Sequence, residues 1–364
     1  MLGVYIHIPF CKNICNYCDF CKMYYDTGYV SRYLDSLENE IKNRYNGEYI
    51  DTIYIGGGTP SCLNISELKR LFDIIKIFKL KDKFEFTIEC NIENIDEDKL
   101  KLFKRNSVNR LSFGVQSFDR NILNILGRYH NEEMVFKNIE LSKMFFDNIN
   151  IDLIYGVDNN IDIVKKDIDK FLELNINHIS CYSLILEENT KLYIDKQEYI
   201  DQELDYEMFK YIGDRLSENG YKHYEISNYS KNGYESIHNK NYWNNGYYYG
   251  FGLGAVSYID NYRISNTRNM SKYLMNDYNY DKVYEDVNAR KENDLILGLR
   301  LIDGIDYEIF NKKYDDNLLN RDVIKGMIND GKLDICGKNL RCNANYIYLL
   351  NDILIEIIGS GSDL

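Results

Sequence analysis

The stretch Val4-Tyr-Ile-His-Ile-Pro-Phe10-Cys11-Lys-Asn-Ile-Cys15-Asn-Tyr-Cys18 joins an apolar run directly to a loop with three closely spaced cysteines. The run 4–8 is short, apolar and rich in β-branched residues, which is typical of a buried strand. Buried free cysteines usually act as small hydrophobic residues, but that role does not account for so tight a spacing. The loop is therefore predicted to hold an inorganic group.

The cysteine loop allows more than one set of ligands. Cys11, Cys15 and Cys18 can hold three corners of a cubic 4Fe-4S cluster and leave the fourth iron without a protein ligand. Electron-transfer clusters normally use four cysteines, so a missing ligand indicates that a substrate or cofactor completes the site. Cys21 leaves open a four-ligand cluster or a zinc site, although Cys-only zinc sites usually come as two separated CxxC pairs. The three-cysteine cluster is the prediction.

The loop and its flanking residues, with Tyr5, the run His7 to Phe10 and the run Tyr17 to Phe20, resemble the radical SAM superfamily. Within it they resemble the group of oxygen-independent coproporphyrinogen oxidases and HemW-type heme chaperones. The resemblance implies that the open iron chelates the amino and carboxyl groups of S-adenosylmethionine (SAM). It also implies that one electron from the cluster cleaves SAM to methionine and a 5′-deoxyadenosyl radical.

Composition narrows the class of protein. The 364 residues carry 44 Lys and Arg against 57 Asp and Glu, a formal net charge of −13, and such a field repels nucleic acid. No apolar stretch approaches the ~20 residues of a membrane span, and the first residues do not read as a signal peptide. We therefore expect a cytoplasmic protein, with a peripheral position at the inner membrane as the alternative, in which the nine cysteines do not form a disulfide framework.

Short strand-like runs alternate with longer segments of helical period, a pattern that indicates βα units around a parallel sheet. The predicted fold class is α/β, an incomplete (β/α)6 TIM-like radical SAM barrel with a small C-terminal winged-helix-like domain. A doubly wound open sheet and a full eight-fold barrel are the alternatives. The predicted strands are 4–8, 52–55, 85–89, 110–114, 149–155 and 178–184, and the predicted helices are 30–43, 65–78, 96–104, 132–145, 163–174 and 203–218.

Polar residues follow the predicted strands in order, where a barrel places its active site. Alone, each reads as a surface or cap residue, but their joint placement favours a cofactor site. In the family the matching positions contact SAM. The glycine turn Gly56-Gly-Gly-Thr-Pro60 matches the GGGTP element of the family. The candidates for SAM binding are Tyr5, Gly57, Gly58, Thr59, Glu89, Gln116, Arg128 and Asp152.

The segment His238-Asn-Lys-Asn-Tyr242-Trp243 contains the only tryptophan of the chain. A histidine near a tryptophan is more often structural than a ligand, yet HNxxYW is the motif that separates HemW-type proteins from the oxidases. Imidazole is a common axial ligand of heme, and aromatic rings pack on porphyrin faces. His238, Tyr242 and Trp243 are therefore candidates for heme contact, although Val256 stands where family members commonly have histidine.

The predicted domain organisation has four parts. Residues 1–225 form the core barrel, and residues 226–287 hold the HNxxYW segment with connecting elements. Residues 288–358 form the small C-terminal domain, and residues 359–364 read as a floppy tail or an expression scar.

Three functions are compatible with these patterns. The leading prediction is a heme chaperone that binds a 4Fe-4S cluster, SAM and heme, and delivers heme to respiratory membrane enzymes. Its partners would be heme or porphyrin, heme-accepting enzymes and an electron donor such as a flavodoxin or ferredoxin. A coproporphyrinogen III oxidase is the first alternative and a radical SAM methyltransferase the second. The short arm before Cys11, the position of Cys21 and the HNxxYW motif favour the chaperone.

Overall fold

The computed structural model describes residues 1–359, except for the side chains of residues 279 and 280. The strands of this part of the chain are β1 Leu2–Ile8, β2 Phe10–Cys11, β3 Met23–Tyr24, β4 Tyr49–Gly57, β5 Lys79–Asn91, β6 Arg110–Gln116, β7 Asn148–Tyr155, β8 His178–Ser183, β9 Lys222–Glu225, β10 Asn228–Ser230, β11 Tyr247–Phe251, β12 Val256–Ile259, β13 Tyr262–Asn266, β14 Asn279–Tyr284, β15 Ile305–Asp306, β16 Leu333–Cys336 and β17 Asn339–Cys342.

The helices mostly begin at side-chain caps, as at α2, where Asn64 and Glu67 form a capping box. The α-helices of the described residues are α1 Thr27–Arg44, α2 Ile65–Ile75, α3 Glu97–Arg105, α4 Arg120–Leu126, α5 Glu132–Lys143, α6 Ile161–Leu174, α7 Lys191–Ile194, α8 Gln202–Glu218, α9 Ile237–Trp243, α10 Met270–Leu274, α11 Val287–Gly298, α12 Tyr307–Tyr314, α13 Asp322–Asn329 and α14 Leu350–Gly359.

The main sheet has the order β14-β13-β12-β11-β1-β4-β5-β6-β7-β8-β10-β9. Six strands of this sheet, β1, β4, β5, β6, β7 and β8, are parallel to their neighbours in this order. At least one helix lies between each consecutive pair of them along the chain. The sheet stays open between its edge strands β14 and β9. The predicted α/β fold with six βα units and an incomplete barrel is therefore confirmed.

Each predicted strand and helix of the barrel is present, with its ends shifted by a few residues. The largest difference is in β5, which extends the predicted strand 85–89 at its amino end to Lys79. Charged residues fill that extension and leave it mostly exposed, so the hydrophobic pattern did not indicate it.

The aromatic, glycine-rich run that begins at Tyr247 is a strand that sequence analysis did not predict. It forms β11 and pairs in parallel with β1, on the opposite side from β4. A Cβ atom at Gly250 would lie 2.0 Å from the carbonyl oxygen of Val256, so glycine is needed where the chain turns back into β12. Strands β12 to β14 then continue the sheet antiparallel. Residues 226–287 thus contribute strands to the same sheet as residues 1–225.

The C-terminal segment has a hydrophobic core of its own, which includes Leu295, Phe310, Leu340 and Ile357. Helices α11 to α14 share this core with the small antiparallel sheet β15-β17-β16, as expected for a winged-helix-like arrangement. Gly359 is the last residue of α14, and the remainder of the predicted tail, residues 360–364, lies outside the described residues.

A buried carboxylate ties α1 to the added strands. The side chain of Glu40 is fully buried and accepts hydrogen bonds from the backbone N–H of Gly252 (2.9 Å), the Tyr273 hydroxyl (2.7 Å) and the Asn266 amide (2.7 Å). Arg44, one turn further along α1, forms an ion pair with it. Removing one partner of a buried ion pair leaves an uncompensated charge, which is strongly destabilising.

We therefore expect Glu40→Ala to lower the free energy of unfolding by ~3–5 kcal/mol. Asp73→Ala removes the exposed ion pair with Lys76 and should change the free energy by ~0.5 kcal/mol or less. Equilibrium denaturation of both variants tests this. Equal losses of stability in the two variants would show that the Glu40 network does not hold these elements together.

Candidate cofactor site

A cavity of about 120 Å³, the cluster cavity, opens toward the carboxyl ends of β1 and β4 to β7. It brings together most of the residues predicted from sequence. Its walls include Cys11, Cys15, Cys18, Gly57, Gly58, Thr59, Glu89, Gln116, Arg128 and Asp152, together with Tyr17, Lys22, Asn91 and Ser112.

The glycine turn after β4 packs against the cysteine loop. A Cβ atom at Gly58 would lie 2.9 Å from the Cys11 sulfur, and one at Gly57, where φ is +111°, would lie 2.5 Å from the His7 ring. The N–H of Gly58 donates to Ile8 (2.9 Å). Because glycine has no side chain, this turn can bring backbone groups close to a ligand. The structure shows that its glycines also let β4 approach the cysteine loop.

Two of the three cysteines accept hydrogen bonds at sulfur. The Thr59 hydroxyl donates to Cys11 Sγ (3.6 Å), and Arg128 Nη1 donates to Cys15 Sγ (3.4 Å). Burial raises the pKa of the Cys11 thiol to about 11, so the free thiol keeps its proton at neutral pH. Iron ionises a thiol that it binds, and the donors at sulfur would then stabilise the thiolate.

Arg128 reaches the cavity because the chain turns sharply after α4. Gly127 ends that helix in the left-handed region, with φ of +72°, and Arg128 follows it. The buried guanidinium donates to the carbonyl oxygen of Gly114 and to Asn91 Oδ1 (3.1 Å). Among the described residues its Nε has no hydrogen-bond partner. The Arg128 side chain lines the cavity, where its guanidinium could bind a carboxylate.

Two carboxylates line the same cavity as Arg128. Glu89 accepts hydrogen bonds from the Tyr54 hydroxyl (2.9 Å) and the Gly57 N–H (3.0 Å). Burial and then the charge of Asp152 raise its pKa to about 7. Burial also raises the pKa of Asp152, which accepts from Asn150 (2.8 Å). This side of the cavity suits an ammonium group or hydroxyls.

Gln116 ends β6 in a left-handed conformation, with φ of 71°, next to a bulge in its pairing with β7. A non-glycine residue rarely adopts this conformation, and such strain is concentrated at binding sites. Gln116 lines the same cavity as Arg128, Glu89 and Asp152.

Cys21 and Tyr5 lie outside the cluster cavity. They line a separate open depression, the outer groove, whose walls are Tyr5, His7, Asp19, Phe20, Cys21, Tyr242, Tyr248, Gly254, Ala255, Val256 and Arg268. The Tyr5 hydroxyl shares a hydrogen bond with Nδ1 of His7 (2.9 Å). The structure therefore separates Cys21 from the other three cysteines and does not bring Tyr5 into the cavity predicted to bind SAM.

His238 lies under this surface, and its exposed fraction is only 1%. Its ring nitrogens share hydrogen bonds with Thr52 Oγ1 and the Tyr242 hydroxyl, both 2.8 Å, and burial lowers its pKa to about 3. An iron atom would have to displace one of these partners. Of the predicted heme contacts, Tyr242 lines the outer groove. His238 and Trp243 line neither this groove, nor the cluster cavity, nor the third cavity that is described next.

A third cavity of about 340 Å³, the lumen cavity, adjoins the cluster cavity inside the barrel. The two cavities share Tyr17, Phe20, Glu89, Ser112, Gln116 and Asp152. The other walls of the lumen cavity include Asp19, Tyr54, Arg110, Asn150, Ser180, Tyr182, Glu187 and Asn239. Sequence analysis did not select Arg110 or Ser112. They alternate with buried apolar residues along β6 on the same face as Gln116, so the period of two would have identified them.

Comparison with known proteins identifies the family. Residues 5–174 match the radical SAM superfamily. The heme chaperone HemW of Lactococcus lactis is 39% identical over 86% of this chain and 85% of that protein, and HemW of Bacillus subtilis is 37% identical over 91% and 92%. This chain belongs to the HemW family of radical SAM proteins. Coproporphyrinogen III oxidase (HemN) of Escherichia coli has the same fold, with a TM-score of 0.86 over 98% of this chain and 89% of that one at 22% identity.

Membership of the radical SAM superfamily implies a 4Fe-4S cluster and SAM. The donor set fits both: three cysteines border one cavity, hydrogen-bond donors face two of their sulfurs, and Arg128 and Glu89 face the same space. Among residues 1–359, no group of three or more His, Cys, Asp or Glu side chains is arranged to hold a single metal ion. In the same range, no helix is long and apolar enough to cross a membrane.

The separation of Cys21 from the cluster cavity gives a test of the ligand set. We expect Cys15→Ser to abolish cluster assembly and Cys21→Ser to leave it intact, because Cys15 borders the cluster cavity and Cys21 does not. Iron and sulfide counts after anaerobic reconstitution, with the visible absorption band, measure this. Equal loss of iron in both variants would indicate a four-cysteine site.

The raised pKa of Glu89 predicts a pH dependence of stability. Native Glu89 keeps its proton to about pH 7, whereas its ordinary pKa is 4.5. The native state therefore binds more protons than the unfolded chain in this window, and stability falls as pH rises through it. We expect Glu89→Gln to lose less stability than the parent between about pH 5 and about pH 8.

Urea denaturation of the cluster-loaded protein without SAM at the two pH values measures this difference. Glu218→Gln, an exposed change on α8, serves as the matched control and should follow the parent. An equal pH-dependent loss in Glu89→Gln and the parent would contradict the assignment.

Proposed function

We propose that this protein is a heme chaperone that binds a 4Fe-4S cluster, SAM and heme, and delivers heme to respiratory membrane enzymes. The observation that carries the proposal is the close similarity over most of the chain to proteins named heme chaperone HemW. An electron donor such as a flavodoxin or ferredoxin would reduce the cluster. The protein would then act in the cytoplasm and meet its acceptors at the inner membrane.

Cys11, Cys15 and Cys18 would hold the cluster, and Glu89, Gln116, Arg128 and Asp152 would hold SAM. The bound pair would supply one-electron chemistry. In the loaded protein, Thr59 and Arg128 would donate hydrogen bonds to two of the thiolates, the glycine turn would seat the loop, and the side chain of Glu89 would form a hydrogen bond with SAM.

The charge of the lumen cavity favours a chaperone over a coproporphyrinogen oxidase. The cavity contains four carboxylates, those of Asp19, Glu89, Asp152 and Glu187, and one guanidinium, that of Arg110. Coproporphyrinogen carries four carboxylates of its own, and burying like charges together is unfavourable. Heme has only two propionates.

Heme contact through the HNxxYW segment is part of the proposal. Asn239 of this segment lines the lumen cavity and Tyr242 lines the outer groove, so α9 lies between the two spaces. His238 would position Tyr242, with which it shares a hydrogen bond, and Trp243 would support the helix from the side of Arg300, whose guanidinium lies 5.9 Å from its ring.

The test compares two activities of the same anaerobic preparation. We expect saturable heme binding, followed by the absorption spectrum, and no loss of carbon dioxide from coproporphyrinogen III in the presence of SAM and a reductant. An authentic coproporphyrinogen oxidase, assayed in parallel, is the positive control. Robust decarboxylation by this protein would replace the chaperone proposal with the oxidase alternative.

A further inference from the structure

Arg110 is a buried cation that the proposed cofactor chemistry does not use. It is the first residue of β6, its exposed fraction is 1%, and it is one of the largest fully buried side chains of the protein. Its side chain lines the lumen cavity. Arginine at such a position normally pairs with a carboxylate or donates several hydrogen bonds.

No such partner is present within residues 1–359. Nε of Arg110 is buried without a hydrogen-bond partner, and no carboxylate forms an ion pair with the guanidinium. Burial raises the pKa values of Glu89 and Asp152, and the charge of Arg110 only partly opposes this rise, so both carboxylates sense Arg110 without contacting it. Desolvation of a charge that has no direct partner is strongly unfavourable. Such a cation fits an anion that arrives with a ligand.

Neutral hydrogen-bonding groups accompany Arg110 in the same cavity. Asn239 projects from the start of α9, and Tyr182, at the end of β8, is 40% exposed. The carboxylates of the same cavity, among them Glu89 and Asp152, would repel a doubly charged anion more than a singly charged one. The planar fork of the guanidinium matches a carboxylate. The cavity therefore favours one carboxylate at Arg110, with neutral polar contacts around it.

We propose that Arg110 anchors a carboxylate of a ligand that enters the lumen cavity, and that this carboxylate is a propionate of heme. The identity of the ligand rests on the proposed heme-binding function, whereas the anion site rests on Arg110 itself. Arg110 would hold the propionate edge of the porphyrin inside the barrel. The opposite edge of the porphyrin would then point toward the open end of the barrel. That orientation would suit transfer of heme to an acceptor.

The experiment compares heme with heme dimethyl ester, which lacks both carboxylates, in the full-length, cluster-loaded protein. The parent should bind heme about tenfold or more tightly than the ester, as expected for a charge-assisted hydrogen-bonded pair. Arg110→Met should reduce this preference to about twofold or less, and Arg110→Lys, which keeps the charge but loses the fork, should have an intermediate preference. Arg32→Met, an exposed change on α1 that lines none of these cavities, should keep the preference of the parent.

An Arg110→Met variant that prefers heme as strongly as the parent overturns the proposal, and so does a parent that binds both porphyrins equally. A parent that binds neither porphyrin contradicts the proposed function. The anion site is then tested separately, by the melting temperatures of Arg110→Met and the parent without ligand. If Arg110 is an unpaired cation, Arg110→Met should melt at or above the temperature of the parent. A lower melting temperature, or failure of this variant to fold, assigns Arg110 a structural role and overturns the proposal.

Discussion

The contact between the glycine turn of β4 and the cysteine loop that follows β1 is the constraint on which the site depends. β1 and β4 are parallel neighbours in register, with Ile6 opposite Ile55 and Ile8 opposite Gly57. Beyond them the Cys11 sulfur lies so close to Gly58 that a single methyl group would collide with it. The pairing of β1 with β4 therefore fixes the position of the cysteine loop. The position of the loop in turn places the thiols of Cys11, Cys15 and Cys18 in the wall of the cluster cavity.

The polar groups inside the barrel are costly to bury, and their placement shows what they serve. Glu89 and Asp152 have raised pKa values because burial disfavours their charges, and Arg110 is buried without a direct partner. A barrel optimised for stability alone would replace these groups with apolar side chains. Bound ligands that bring complementary charges would recover part of the cost. The lumen is in this sense built for the ligand-bound state.

Sequence patterns were sufficient for the barrel because its strands are buried and its helices are amphipathic, so each has a clear period. They were also sufficient for the cluster cavity, since polar residues at strand ends converge in any parallel barrel. Strand β11 escaped prediction because three tyrosines and Gly250 do not resemble a buried strand, and only the pairing with β1 makes it one. The hydrogen bonds that enclose His238 come from β4 and α9, and no local pattern reports such a tertiary contact.

The central claim is that three cysteines hold a cluster whose fourth iron is open to SAM. The most direct measurement is electron–nuclear double resonance of the reduced cluster with SAM that carries an isotopic label at its amino nitrogen. The account predicts a hyperfine coupling between the cluster and that nitrogen, in the parent and in Cys21→Ser alike. A reduced cluster that shows no coupling to the labelled nitrogen at saturating SAM would contradict it.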